Sequence, residues 1–216
     1  AGRGGGHRAI LMPRAIVIAA AVDACEQAVL LRAAAILQDA LDACGGEGAA
    51  VSVRFAESLD AIAREPAPAF VVASLLPELA GSEPVAAVDA RWRTALATFP
   101  PVLICTIFRH VDPSLAPSRR EALRERILRL SLAAVEISHD TGANVIDFDR
   151  TLAHVGGRPL GSDCRFASEL AIEVGARVLA RGVLALASED TIAPEAATCA
   201  EARIGEPWDV LPAVRT

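Results

Sequence analysis

The chain predicts an α/β domain in three layers, a doubly wound parallel five-stranded sheet in the order 2-1-3-4-5 with helices on both faces. Three observations carry that expectation. Short apolar runs alternate with longer amphipathic ones, the pattern of strands separated by crossover helices. A 53% hydrophobic content over 216 residues is enough to fill one substantial core. The crossovers are long enough for right-handed β-α-β units, which makes 2-1-3-4-5 the simplest order.

Each element has its own signal. Residues 14–20 form a short apolar run read as the first strand. A helix follows over residues 24–43, with Val29, Leu30, Ala33, Ile36, Leu37 and Leu41 recurring on one face and Asp23 placed to cap it. Gly45 and Gly46 stop that helix, residues 50–55 make the second strand and residues 58–64 a short helix, with Pro66 and Pro68 as punctuation. The third strand covers residues 69–74. After it, SLLPELAGSEP reads as a long loop before a helix over residues 85–99, ended by Pro100 and Pro101. Residues 102–108 form an apolar fourth strand, followed by a loop and then the clearest helix, residues 119–139. There Leu123, Ile127, Leu130, Ala134 and Ile137 face inward, and arginines and glutamates face solvent. Gly142 ends it; residues 144–148 are the fifth strand and residues 167–184 the last helix. Three segments result: a flexible extension or tag over residues 1–13, the α/β domain over residues 14–184, and an acidic, proline-bearing C-terminal tail over residues 185–216 that packs along the domain or stays mobile. Met12 is a plausible native start.

Composition excludes several function classes. The net charge of −6 offers no clustered cations for nucleic acid or an anionic membrane. All the basic residues are Arg and there is no Tyr, so P-loop, Schiff-base and lysine general-base chemistries are ruled out. No run approaches the ~20 apolar residues of a spanning helix; residues 16–22 are too short for a signal-peptide core and Pro13 and Arg14 interrupt the run. Five scattered cysteines, Cys25, Cys44, Cys105, Cys164 and Cys199, form no CxxC or Cys/His cluster. They point to a reducing, cytoplasmic location and away from structural zinc. No cofactor motif is present, and neither cofactor nor metal is expected.

The block VIDFDRTLAHVGGRPLGSDCRFASELA, residues 145–171, joins the last strand to the last helix through a loop reading Asp163, Cys164, Arg165, Phe166. With the element order it resembles the SGNH/GDSL hydrolases over residues 14–184; in that family an Asp-x-x-His loop opens the final helix. The resemblance implies this fold and an ester or acyl hydrolase ancestry, with Asp163 as the surviving triad member. The histidine slot holds Phe166, the Gly-Asp-Ser nucleophile turn reads Ala20 to Cys25 without serine, and SLLPEL stands for Gly-x-Asn-Asp. An imidazole takes the nucleophile's proton in that chemistry, and a phenyl ring cannot. Three other folds fail on the same residues. A response-regulator receiver lacks its lysine and its third-strand Asp, a flavodoxin lacks its Ser/Thr phosphate loop, and a dinucleotide-binding site lacks G-x-G-x-x-G.

In a sheet of this order ligands gather at the carboxyl ends of the strands. Two site hypotheses follow. In the first, Cys25 in the first turn of the first helix is a nucleophile whose pKa the helix dipole lowers. His110 acts as base with Asp112 to orient it, and Asp163 completes the set. In the second, a non-catalytic module grips a small anionic or acyl ligand through Arg109 and Arg165, with Asp23 and Ser74 at the ends of the first and third strands facing the ligand. Each residue has a plainer role beside these: Cys25 as a buried hydrophobe, Asp163 as a helix cap or partner of Arg165, Arg109 neutralised by Asp112. Asp147 and Asp149 straddle Phe148 on the fifth strand and share one face, where they hold a divalent metal or pair with Arg150 or Arg158. The expected partners are a small-molecule ester, acyl or anionic ligand and, through the C-terminal tail, another protein, with Trp208 either an anchor on that partner or, as is more frequent for such an aromatic, docked on its own domain.

Overall fold

A computed structural model describes residues 15–45, 50–62, 68–97, 99, 101–190 and 192–211 of the chain. The readings of residues 1–14, Gly46, Arg64, Pro66 and Pro100 lie outside the described residues. Five apolar runs form strands: β1 (Ile16–Ala21), β2 (Val51–Phe55), β3 (Phe70–Ser74), β4 (Val102–Cys105) and β5 (Asn144–Ile146). All pairings are parallel and the order is β2-β1-β3-β4-β5, as the crossover argument predicts. Every residue of β3 and β4 is buried, because helices cover both faces of the central strands.

The helices are α1 (Ala24–Ala43), α2 (Leu59–Ile62), α3 (Leu76–Ala80), α4 (Val85–Leu96), α5 (Pro117–Thr141), α6 (Phe148–Val155), α7 (Gly157–Leu160), α8 (Glu169–Asp190) and α9 (Pro194–Ile204). The period-2 alternation of the strands sorts them into two layers. Ile16, Ile18, Ala20, Phe70, Val72, Leu103 and Cys105 face α1, α6, α8 and α9. Ala19, Val71, Ala73, Val102 and Ile104 face α2, α3, α4 and α5.

Three local readings need correction, and of the two readings of the C-terminal segment the one that packs it along the domain holds. SLLPELAGSEP is not all loop: Pro77, at the first turn of α3, starts a helix where its missing N–H is not needed. The fourth strand stops at Cys105 rather than Phe108: the Thr106 N–H makes the last backbone bond to β5, to the Ile146 carbonyl at 3.0 Å, and its hydroxyl turns to the chain after β5, where it accepts from the Asp149 backbone N–H at 3.2 Å. The fifth strand stops at Ile146, so Asp147 and Asp149 do not share a strand face; Asp147 caps α6 by accepting from the Arg150 N–H at 2.9 Å. The C-terminal segment is structured. Pro194 opens α9, whose Ala197, Ala200 and Ile204 recur at helical spacing and complete the core against α1 and α8.

The cysteine reading changes as well. Cys44 at the end of α1 and Cys199 on α9 form a disulfide across 155 residues of sequence, while Cys25, Cys105 and Cys164 are free. Spacing rules see only local clusters, so this pair escaped them. A disulfide persists in oxidising surroundings, which removes the cysteine argument for a reducing compartment. Among the described residues no helix is long and apolar enough to cross a membrane.

Candidate functional site

The carboxyl edge of the sheet begins with α1. Asp23 caps it through a reciprocal box: its side chain accepts from the Cys25 N–H at 3.0 Å, and Glu26 accepts from the Asp23 N–H at 2.9 Å. The other oxygen of Glu26 accepts from the Ser74 hydroxyl at 2.6 Å, and Ser74 in turn accepts from the Leu76 N–H at 3.0 Å. Glu26 is 3% exposed and Ser74 2%. Burial is the main reason the Glu26 carboxyl is pushed up to about 7, against the two hydrogen bonds that favour its charged form. Ser74 and Asp23 are therefore bound to structural partners rather than turned toward a ligand, a correction to their reading as ligand-facing groups. The Asp23-x-x-Glu26 spacing was the signal for this box in the sequence.

Cys25 sits in the first turn, yet its thiol pKa moves opposite to the helix-dipole expectation. Partial burial pushes it well up, and the neighbouring carboxylates of Asp23 and Glu26 add to that. Cys164 is buried and pushed up to about 11, and the fully buried Cys105 is raised too, with burial the leading cause in both. A thiol kept protonated is a poor nucleophile.

Arg109 is also committed elsewhere. Asp149, buried at the start of α6, accepts from the Arg109 backbone N–H at 2.9 Å and from its Nε at 2.8 and 2.9 Å, with Nη2 at 2.5 Å. The partner is Asp149 rather than Asp112, and Asp149 pairs with Arg109 rather than with Arg150 or Arg158. Asp112 instead accepts from the Ser114 N–H at 2.8 Å, which lowers its pKa, with the Arg165 charge a smaller contributor. Among the described residues no group of three or more His, Cys, Asp or Glu is placed to hold a metal ion.

His110, Asp163 and Arg165 do come together. With Asp112, Arg158 and Ser162 they line a groove of about 400 Å³ between the chain after β4 and the segment joining α7 to α8. The His110 ring stacks on Phe108 with centroids 5.8 Å apart and lies against Gly157, where an added Cβ would fall 2.5 Å from the ring. Only glycine admits the imidazole there. On its other side His110 borders a second groove, about 430 Å³, with Phe108, Arg124, Leu128 and Ala153 on its walls.

The loop carrying Asp163 is self-supporting. Asp163 accepts from the Arg165 N–H at 2.9 Å, and the buried Ser162 hydroxyl donates to the Asp163 carbonyl at 3.0 Å and accepts from the Ala167 N–H at 2.8 Å. The Ser168 hydroxyl accepts from the Ala171 N–H at 3.1 Å in the first turn of α8 and donates to the Leu160 carbonyl. Phe166, in the slot of the family's histidine, is 5% exposed and meets Phe148 edge-on at 5.2 Å. Its φ of 52° is a left-handed conformation that a non-glycine side chain adopts at a cost, held here because Gly175 leaves room for the ring. That position turns inward and does not face the groove.

Sequence reasoning missed Thr106 and Gly157, did not link Asp149 to Arg109 and did not place Arg158 in the groove. Asp149 and Arg109 lie 40 residues apart, and no local pattern links them.

No family model matches the chain, and no curated protein does. Among solved structures, the chain is similar to LAE5, an alpha/beta hydrolase enzyme from the metagenome of Lake Arreo, Spain. The identity is 16% and the TM-score 0.52, over 88% of this chain and 97% of that one. The likeness concerns the fold.

Proposed function

We propose that this hydrolase-fold chain is an SGNH-like module that binds a small anionic or acyl ligand in the groove beside His110 and does not cleave it. The observation that carries the reading is the grouping of His110, Arg158 and Arg165 around one groove at the carboxyl edge of the sheet. Neither Arg158 nor Arg165 forms an ion pair among the described residues, whereas Arg109 is held by Asp149. The Arg165 charge is felt by Asp112 across the same groove, but no carboxylate among the described residues holds either guanidinium in an ion pair, and guanidinium groups grip carboxylates and phosphates through paired N–H donors. Asp163 contributes by shaping the loop that presents Arg165. Its capping bond to the Arg165 N–H gives it a reason to be present without a histidine to orient.

Hydrolysis through Cys25 is the weaker reading, because burial and two carboxylates oppose formation of its thiolate. Titration of the protein with acetate, butyrate, octanoate and inorganic phosphate, followed by amide chemical shifts, tests the proposal. Binding should perturb residues around His110 and Gly157, and Arg165→Ala with Arg158→Ala should weaken it by roughly tenfold or more, the loss of one or two charge-assisted hydrogen bonds. Turnover of p-nitrophenyl butyrate above the buffer rate, lost in Cys25→Ala, would overturn it.

A further inference from the structure

Five large apolar side chains among the described residues are exposed, and three of them fall on one face of α5: Leu128 at 52%, Leu132 at 60% and Val135 at 55%. The same helix buries Ile127, Leu130, Ala134 and Ile137 on the opposite face, so the stripe points straight away from the core. It continues through exposed Glu121 and Glu125 on one side and exposed His139 on the other. The spacing 121, 125, 128, 132, 135, 139 alternates four and three, the seam spacing of a coiled coil rather than a scatter of surface residues. The outer faces of single-domain helices are ordinarily polar, and here exposed Arg124, Arg129 and Glu136 flank a stripe whose centre is apolar.

From this seam we infer that α5 is a homodimer interface, packing antiparallel on α5 of a second copy about a two-fold axis. The charges choose the occupant and the direction. With Leu128 set against Leu132 of the second copy, Glu121 meets His139 and Glu125 meets Val135, each pair occurring twice by symmetry. Glu125 keeps its own Arg129 at 2.6 Å, so its charge stays compensated beside the valine. A parallel pairing would instead stack Glu121 on Glu121 and Glu125 on Glu125, like charges in adjacent layers. A helix of 25 residues presents about 37 Å of seam, long enough for these six layers. The inference stands apart from the ligand groove: Leu132 and Val135 do not line it.

Sedimentation equilibrium of the full oxidised chain at concentrations up to about 0.2 mM tests it. The wild type should be a dimer. Leu132→Glu with Val135→Glu should raise the dissociation constant by about a hundredfold or more through the loss of apolar burial, with the far-UV spectrum unchanged. His139→Glu should weaken association by up to about fivefold, and adding Glu121→Arg should restore it. A wild type that stays monomeric overturns the proposal, whatever else the stripe then binds. A dimer indifferent to the Leu132/Val135 change, or a charge swap that fails to rescue His139→Glu, overturns it equally.

Discussion

At the residue scale, Glu26 shows how a single buried carboxyl can set the pH response of a fold. It holds the start of α1 and the end of β3 together while facing Asp23, Cys25, Cys105 and Cys164 and, among the described residues, no cation. Its folded pKa of about 7 lies above the ordinary 4.5, so the native state binds the extra proton. Its contribution to stability is therefore complete below about pH 4.5 and is lost as the pH rises through 7, by roughly 3 kcal/mol in total. Thermal melts should show Glu26→Gln with a nearly flat stability between pH 5 and 8, offset by about 1 kcal/mol for the lost second acceptor. A slope equal to the wild type's would assign the pH response to another group. Gly157 is the second residue with a sharp expectation. Gly157→Ala should displace the His110 ring and weaken anion binding in the groove, and the same titration of amide shifts reads it out. Glu26 was half legible in the sequence, since the capping box is a local pattern, whereas its burial against Ser74 required β3 to arrive from 48 residues away.

At the element scale, the junction of β4, β5 and α6 is built from polar side chains rather than apolar packing. Thr106, Asp147 and Asp149 end both strands, turn the chain and fix Arg109. Asp149→Ala should cost about 2–4 kcal/mol, because it leaves the Arg109 N–H without an acceptor and removes a charge-assisted bidentate pair at a buried carboxylate. Urea denaturation measures this, and a change under about 0.5 kcal/mol would show that the junction is held by its apolar neighbours Phe108 and Phe148 instead. The strand count and order were legible because apolar runs and crossover lengths are local quantities. The ends of β4 and β5 were not. Residues 106–108 are as apolar or β-prone as the strand they follow, and only side-chain bonds across 41 and 43 residues of sequence turn the chain there; Asp147, by contrast, carries a local cap signal that the apolar Phe148 beside it masked.

At the scale of the whole molecule, the Cys44–Cys199 disulfide joins the first helix to the last and closes a loop of 155 residues. A cross-link of that span restricts the unfolded chain strongly, so Cys44→Ser with Cys199→Ser should lower stability by about 2–5 kcal/mol. Calorimetry of the oxidised and double-serine forms gives the comparison. Equal melting temperatures would mean that α9 is held by its apolar face alone, through Ala197, Ala200 and Ile204.

The sequence by itself determined the layered architecture, the parallel order of the sheet and the edge at which to look for a site, because hydrophobic period and connection length act over a few residues at a time. It also put His110, Asp163 and Arg165 on loops of that edge. Only the tertiary structure decided which of those groups are free to act: Arg109 is taken by Asp149, Ser74 by Glu26 and Asp163 by the turn before α8. It likewise decided that the Cys25 thiol stays protonated and that the last segment folds onto the core. Charge state and hydrogen-bond commitment depend on neighbours brought in from distant parts of the chain, and no local pattern records them.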